Sequence, residues 1–384
     1  MKVTIQKSVL MDALGRIGGL IEKKPLIPAL AYVLITPAAV GVRLATTNIH
    51  TQIEVTALAY VLESVIPCLV NFKELKAALH GFKNGFVTLG QDEDDVGHNL
   101  VWVSQGEMDV PLTSMAVSRW PELLPVEGEG VKRARVPAAA LIAAVRQTVC
   151  AAATTDNRPI LEGLLFEVSN AQLTVVAADG YRLAVHAAPL SHPAAESFHC
   201  VIPAACLRSV IGMDTPGDVS MAYNPNTDHV MFQADGWSLT AHTLTGRYPD
   251  YTSVLPERVS VSAELDGAAW GAALREVSDA AADDANSVMC AFVCEEVSRP
   301  VLRLSAGKGD QRVTSQAVPL ISLTDAVTFH IDQTFLRDSL TAFVDGPMLV
   351  RVGPAHTSQG WADAPLISTA AAPGSFHLIM PMTR

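Results

Sequence analysis

The chain has 384 residues, 49% hydrophobic and 17% charged. This exceeds the roughly 250–300 residues at which a single core stops growing, and the balance excludes disorder. Its net charge of −12, from 27 Lys and Arg against 39 Asp and Glu, argues against a surface coated with nucleic acid over its whole area.

The first third opens with a polar-alternating strand and an Ala/Leu-rich helical stretch, VTIQKSVLMDALGRIGGLI from Val3. The hairpin pattern YVLITPAAVGVRLATTN follows, two apolar runs around a short polar turn. PCLVNFKELKAALHGF from Pro67 then reads as strand, cap residue and amphipathic helix. The segment ends at Arg119-Trp-Pro-Glu-Leu-Leu-Pro125, whose prolines mark an exit rather than a strand interior.

The same order returns twice. The middle third runs through ARVPAAALIAAVRQTVCAAA from Ala134, LLFEVSNAQLTVVAADG and HCVIPAACLRSVIGM from His199. Leu141, Val145 and Thr148 share one helical face there. Arg247-Tyr-Pro-Asp-Tyr-Thr-Ser-Val-Leu-Pro256 closes this section, one third of the chain length after the first such exit. The last third runs through VSVSAELDGAAWGAALREVSDAA from Val259, AFVCEEVSRPVLRLSAG and VTFHIDQTFLRDSLTAF from Val327. Repeats at this spacing predict an α+β protein of three similar domains, 1–127, 128–257 and 258–384. Each is a doubled strand-helix-strands unit with antiparallel sheets and helices to one side.

The six expected helices span 10–24, 71–83, 137–149, 203–213, 264–279 and 332–343. The first four are basic on balance, through Arg16, Lys23 and Lys24, Lys73, Lys76 and Lys83, Arg146, and Arg208. The last two are acidic on balance, Arg275 and Arg337 being outnumbered by Glu264, Asp266, Glu276, Asp279, Asp332 and Asp338. If these helices share a wall, it is mildly positive within an acidic body, which suits loose contact with phosphates. Solvated helix faces are the alternative reading.

Chemistry-bearing patterns are missing. The chain has no G-x-x-x-x-G-K-[ST] loop, no G-x-S-x-G elbow and no H-E-x-x-H. Cys68, Cys150, Cys200, Cys206, Cys290 and Cys294 lack C-x-x-C spacing and read as small packed thiols. Cys290 and Cys294 would share a strand face ~13 Å apart, too far for one metal. His192 and His199 beside Cys200 form no ligand pattern, so no metal and no cofactor are expected. The polar start and the lack of an apolar run of ~20 residues predict a cytoplasmic protein without a membrane partner.

Three segments carry a resemblance. Ala177-Ala-Asp-Gly-Tyr-Arg-Leu-Ala184, Gly246-Arg-Tyr-Pro-Asp-Tyr251 and Met380-Pro-Met382 resemble signature segments of the bacterial DNA polymerase III beta subunits, the sliding clamps. The similarity runs from the MKVT start through Lys24-Pro25 and Pro28 to the last residues. It implies a head-to-tail homodimer closed into a six-domain ring around duplex DNA, helices inside and sheets outside. It also implies a hydrophobic groove that receives short motifs from the DNA polymerase catalytic subunit, the clamp loader and other clamp-motif proteins.

Carried over position by position, that groove comprises Leu161, Ala178, Gly180, Tyr181, Arg182, Leu183, Pro249, Ser253, Val254, Leu378, Ile379, Met380, Pro381 and Met382. Apolar walls with flexible methionines suit Leu- or Phe-bearing peptides, although Leu183, Val254 and Ile379 read equally as core. DNA contact falls to Lys24, Lys73, Lys76, Arg146, Arg158 and Arg208. Val110 and Leu112, on a strand expected at a sheet edge, are the candidates for the apolar part of the dimer interface.

The chain departs from the family at Tyr181, commonly histidine, at Ser253, commonly arginine, and at Thr383, where an arginine often follows Met-Pro-Met. Gly307-Lys-Gly-Asp-Gln-Arg312 replaces an acidic cluster at the expected subunit boundary. These departures motivate a second reading, a divergent paralogue serving a plasmid, phage or specialised polymerase. A third, remote reading is an α+β enzyme with Asp179 and Arg182 in its site.

Overall fold

The computed structural model describes residues 2–382, other than 23, 64–65, 94–98, 122, 124, 156–157, 214, 283–285, 296–298, 307–312, 344–345, 358–359 and 373. Among the described residues it contains six α-helices and many antiparallel strands, the α+β architecture expected. The helices are α1 (Lys7–Ile17), α2 (Phe72–Gly81), α3 (Ala138–Thr148), α4 (Ala204–Val210), α5 (Gly267–Ala282) and α6 (Gln333–Ala342). All six coincide with expected helical stretches, with different bounds.

Local chemistry sets those bounds. α1 starts earlier than its apolar periodicity and stops at Ile17, because Gly18 and Gly19 disfavour α-helix and the chain tightens into a 3-10 turn over Gly18–Leu20. Lys24 is therefore on a loop beyond the helix. α2 begins where the Asn71 side chain accepts the Glu74 N–H at 3.2 Å. α6 begins where the Asp332 carboxylate accepts the N–H groups of Thr334 and Phe335 at 2.7 and 3.3 Å. Asp266 does the same ahead of α5, accepting from Ala269 at 2.7 Å. Each short polar side chain satisfies backbone donors that the first helical turn leaves open.

The chain forms two compact units that do not follow the sequence thirds. One consists of Met1–Ile142, Leu190–Phe198 and Ala205–Thr243, the other of Ala143–Pro189, His199–Ala204 and Leu244–Arg384. The first holds a five-stranded and a nine-stranded sheet, and the second a twelve-stranded sheet. Strand pairing explains the division of the middle third. Trp237–His242 pairs with Thr51–Leu58 in the first unit, whereas Arg182–Pro189 pairs with Phe376–Ile379 in the second.

All three expected hairpins form. Tyr32–Ala38 pairs with Gly41–Thr47, Gly163–Ser169 with Gln172–Ala178, and Ser287–Glu295 with Arg299–Ala306. Met108–Leu112 is the outer strand of the five-stranded sheet, as expected for Val110 and Leu112. Leu112 is buried within its own subunit, however, and Val110 is half-buried.

Apolar side chains from α5 and α6 pack on the sheet of the second unit. Trp270 is fully buried and meets Phe292 edge-on at 6.2 Å, and Phe292 stacks on Phe329 at 5.8 Å. Trp270→Ala leaves a cavity that the surrounding strands cannot close. A loss of about 3–5 kcal/mol is expected, measured as a lower urea midpoint of the far-ultraviolet signal.

Candidate functional site: the turn at Asp179 and the strand seam beneath it

The site starts from a tight turn. The strand Gln172–Ala178 ends one residue before Asp179, and Arg182 begins the next strand. Asp179 Oδ1 accepts the backbone N–H groups of Tyr181 and Arg182 at 2.9 and 3.0 Å, closing a side-chain-to-backbone turn. Gly180 sits at φ 89°, a left-handed conformation natural to glycine. A Cβ at Gly180 would lie 2.9 Å from Nη2 of Arg158, so that guanidinium abuts the turn.

Arg182 locks the turn to α6. Its Nε donates to Asp179 Oδ2 at 3.0 Å and its Nη1 to Asp338 Oδ2 at 2.7 Å. The guanidinium lies 4.3 Å from the centroid of the Phe335 ring. Burial opposes the charge, but Asp338 and Asp179 outweigh it and raise the pKa further. With 12% of its side chain exposed, Arg182 is a fixed cation. Asp179 thus spends its carboxylate on the backbone of the turn and on Arg182, and Arg182 spends its guanidinium on Asp179 and Asp338.

Beyond the turn, Arg182 pairs with Ile379 and Leu183 with Leu378, and the Met380 N–H donates to the Tyr181 carbonyl at 2.8 Å. The seam therefore brings the Met380-Pro-Met segment to Tyr181. Leu161, Leu183 and Leu378 are buried in one cluster, and Ala178, Val254 and Met380 pack against it partly exposed. Tyr181 is 67% exposed. Gly180, Pro249 and Ser253 are exposed, while Pro381 and Met382 are half-buried.

Ile379 is a correction to the expected lining. Strand alternation turns it to the opposite face, where it is fully buried in the cluster of Trp270 and Phe292. Leu161, Leu183 and Leu378 form the floor rather than the open wall. The loop over this surface is held by Asp250, which accepts the Thr252 N–H at 3.0 Å and hydroxyl at 2.6 Å. These bonds hold its carboxyl below the usual range. Ser253 donates its hydroxyl to the Asp250 carbonyl at 2.7 Å. Thr383, Arg384 and Gly307–Arg312 lie outside the described residues.

The cationic candidates are spread out. Lys24, Lys73, Arg146 and Arg208 are exposed, and Lys76 is half-buried with its ammonium 5.9 Å from the Phe72 ring. Arg158 precedes the 3-10 turn Pro159–Glu162, beside the groove turn rather than on a helix. Among the described residues, no three His, Cys, Asp or Glu stand ready to hold a metal ion, and no helix is long and apolar enough to cross a membrane.

The sequence matches the DNA polymerase III beta subunit N-terminal domain over residues 1–123 and the central domain over 135–250. The chain belongs to the DNA polymerase III beta subunit family. It is 28% identical to the beta sliding clamp of Micrococcus luteus over 322 residues, 83% of this chain and 99% of that one. Identity to the beta sliding clamp of Synechococcus elongatus is 26% over 350 residues, 89% and 90% of the two chains. The fold matches the crystal structure of the Bacillus subtilis DNA polymerase sliding clamp with a TM-score of 0.84, at 21% identity, covering 100% of this chain and 99% of that one. It also matches a Pseudomonas aeruginosa sliding clamp bound to griselimycin, with a TM-score of 0.86 at 18% identity over the full length of both chains.

Sequence reasoning missed the support beneath the groove. His377 Nε2 donates to the Gln147 carbonyl at 2.7 Å, and its Nδ1 lies 2.9 Å from Ser339 Oγ. His186 Nδ1 lies 2.7 Å from Gln147 Oε1 and 3.1 Å from Ser375 Oγ. Nothing local in the sequence marks these partners, which meet only through the strand seam. Burial lowers both imidazole pKa values to about 4. Each is neutral in the fold and takes up a proton more readily when unfolded. Their stabilisation is complete above pH 6.5 and is lost as pH falls from 6.5 through 4, on the order of 3 kcal/mol for a single imidazole. His377→Asn should flatten this part of the pH dependence of the urea midpoint.

Proposed function

We propose that two copies of this chain close head to tail into a ring around duplex DNA, with no chemistry of their own. The match to the family models over residues 1–123 and 135–250 carries this reading. Sliding-clamp function accords with a fold that matches clamp structures along the whole chain. In this reading the sequence thirds 1–127, 128–257 and 258–384 are the three repeated domains.

Exposed Lys24, Lys73, Arg146, Arg158 and Arg208, with Lys76, are the proposed phosphate contacts. Separate cations on helices and loops give weak attraction without base readout, which lets a ring slide while topology keeps it on the DNA. Val110 and the outer strand carrying it are the proposed apolar contribution to the subunit interface. A ring formed this way stays on nicked circular DNA after clamp loading and leaves once the DNA is linearised. Equal retention on both templates would overturn the topological reading.

The apolar surface over Leu161, Leu183 and Leu378, rimmed by Tyr181, Val254 and Met380, is proposed to receive short linear motifs. Its partners would be the DNA polymerase catalytic subunit, the clamp loader and other clamp-motif proteins. Tyr181→Ala removes an exposed ring without disturbing the strand bond made by its carbonyl. About tenfold weaker binding of a labelled Leu/Phe-bearing peptide is expected by fluorescence anisotropy, with unchanged thermal stability. Tyr181 and Ser253 also favour the paralogue reading, because a phenol and a hydroxyl stand where relatives commonly carry an imidazole and a guanidinium. Weaker binding of the resident replicative polymerase's motif than a standard clamp shows would support that reading, and equal binding would oppose it.

A further inference from the structure

Among the described residues, each of the six α-helices is followed by three strands in succession. In four of these six cases the third strand pairs with the third strand of another set: Thr51–Leu58 with Trp237–His242, and Arg182–Pro189 with Phe376–Ile379. Both seams join the first set of one sequence third to the second set of another. Two third strands are left over, Met108–Leu112 from a second set and Val313–Leu323 from a first set. Met108–Leu112 is outermost in its sheet. Val313–Pro319 pairs on one side only among the described residues, with Val301–Ala306, before the strand continues alongside Ala263–Leu265.

The two leftover strands suit a third seam, made between copies, but its supply of backbone donors differs. In Trp237–His242 the His242 N–H points outward and donates to the His50 carbonyl at 2.8 Å. Antiparallel alternation then turns the N–H groups of Ser238 and Thr240 the same way. Trp237 pairs with Ala234 across a two-residue turn, as Met108 pairs with Gln105. The equivalent outward positions after Met108 are therefore Asp109, Pro111 and Thr113. Pro111 has no N–H. The Thr113 N–H donates to Glu74 Oε2 at 2.7 Å, and its carbonyl accepts the Asn71 N–H at 2.9 Å. Of the three positions, only Asp109 can donate to an arriving strand. A proline whose nitrogen faces away from its neighbour leaves its own sheet intact and hinders pairing from outside.

Resting on the ring proposed above, we infer that Met108–Leu112 closes on Val313–Pro319 of a second copy through a donor-poor seam that lets the ring open by itself. The groups that Met108–Leu112 offers are the Asp109 N–H and the carbonyls of Asp109 and Pro111. Closing a ring of two copies makes this junction twice, so a missing bond counts twice in its stability. Such a ring parts at its subunit junctions while the seams inside each copy stay closed. It leaves circular DNA by that route.

Sedimentation velocity of the full chain over a concentration series tests this, together with dwell time on nicked circular DNA after clamp loading. Pro111→Val supplies the missing donor and should tighten self-association about tenfold, with a longer dwell. Asp109→Pro removes the remaining donor and should weaken self-association about tenfold. Both positions bond outward, so each variant should keep the thermal midpoint of the unaltered chain. A dimer whose strength neither substitution changes would overturn the inference and leave the ring standing. A chain that stays monomeric at every concentration, with and without Pro111→Val, would overturn the ring reading and this inference together.

Discussion

The pairing of Arg182–Pro189 with Phe376–Ile379 is the constraint on which the candidate site rests. Leu183 and Leu378 meet across it to form the apolar floor, and the Tyr181 carbonyl receives the Met380 N–H. Backbone bonds alone would leave this short seam marginal. Arg182 adds charged bonds to Asp179 within the turn and to Asp338 on α6, with Phe335 under the guanidinium. Below the strands, the Nε2–H of His377 donates to the Gln147 carbonyl, and burial is what keeps that imidazole neutral. Apolar floor, ion-paired turn and buried polar support are therefore consequences of one strand register.

That register also gives the two faces of the seam different roles. Leu378 belongs to the cluster beneath Tyr181 and Val254, while its neighbour Ile379 belongs to the core around Trp270. A one-residue slip would exchange them, placing Ile379 under the groove and withdrawing Leu378. Met380 and Tyr181, at the rim, keep a flexible thioether and an exposed ring.

Much of the architecture was legible because it is local. Apolar periodicity located all six helices, and turn residues between β-rich runs located the three hairpins. Gly18 and Gly19 shortened the first helix for a reason visible in the sequence. The division into two compact units, as distinct from the repeated thirds, was not legible from repeats. It follows strand pairing between thirds, such as Trp237 with Val55 and Arg182 with Ile379, which no periodicity encodes. In the site, residue identity was readable at Tyr181, Arg182 and Met380 through resemblance. Exposure was not readable, because the alternation that hides Ile379 depends on register. Asp338, Phe335 and His377 have meaning only through contacts made in the fold.

The strand seam has a further consequence for biogenesis. Arg182–Pro189 leaves the ribosome long before Phe376–Ile379 exists, and until then it exposes an open sheet edge flanked by Leu183 and Val185. The nascent chain must carry that edge through the synthesis of everything between. A chain cut short before Phe376 would lack both the strand that covers the edge and the Met380 rim. The proposed recognition surface is thereby tied to complete translation, and truncated chains would be open to chaperones and proteases instead.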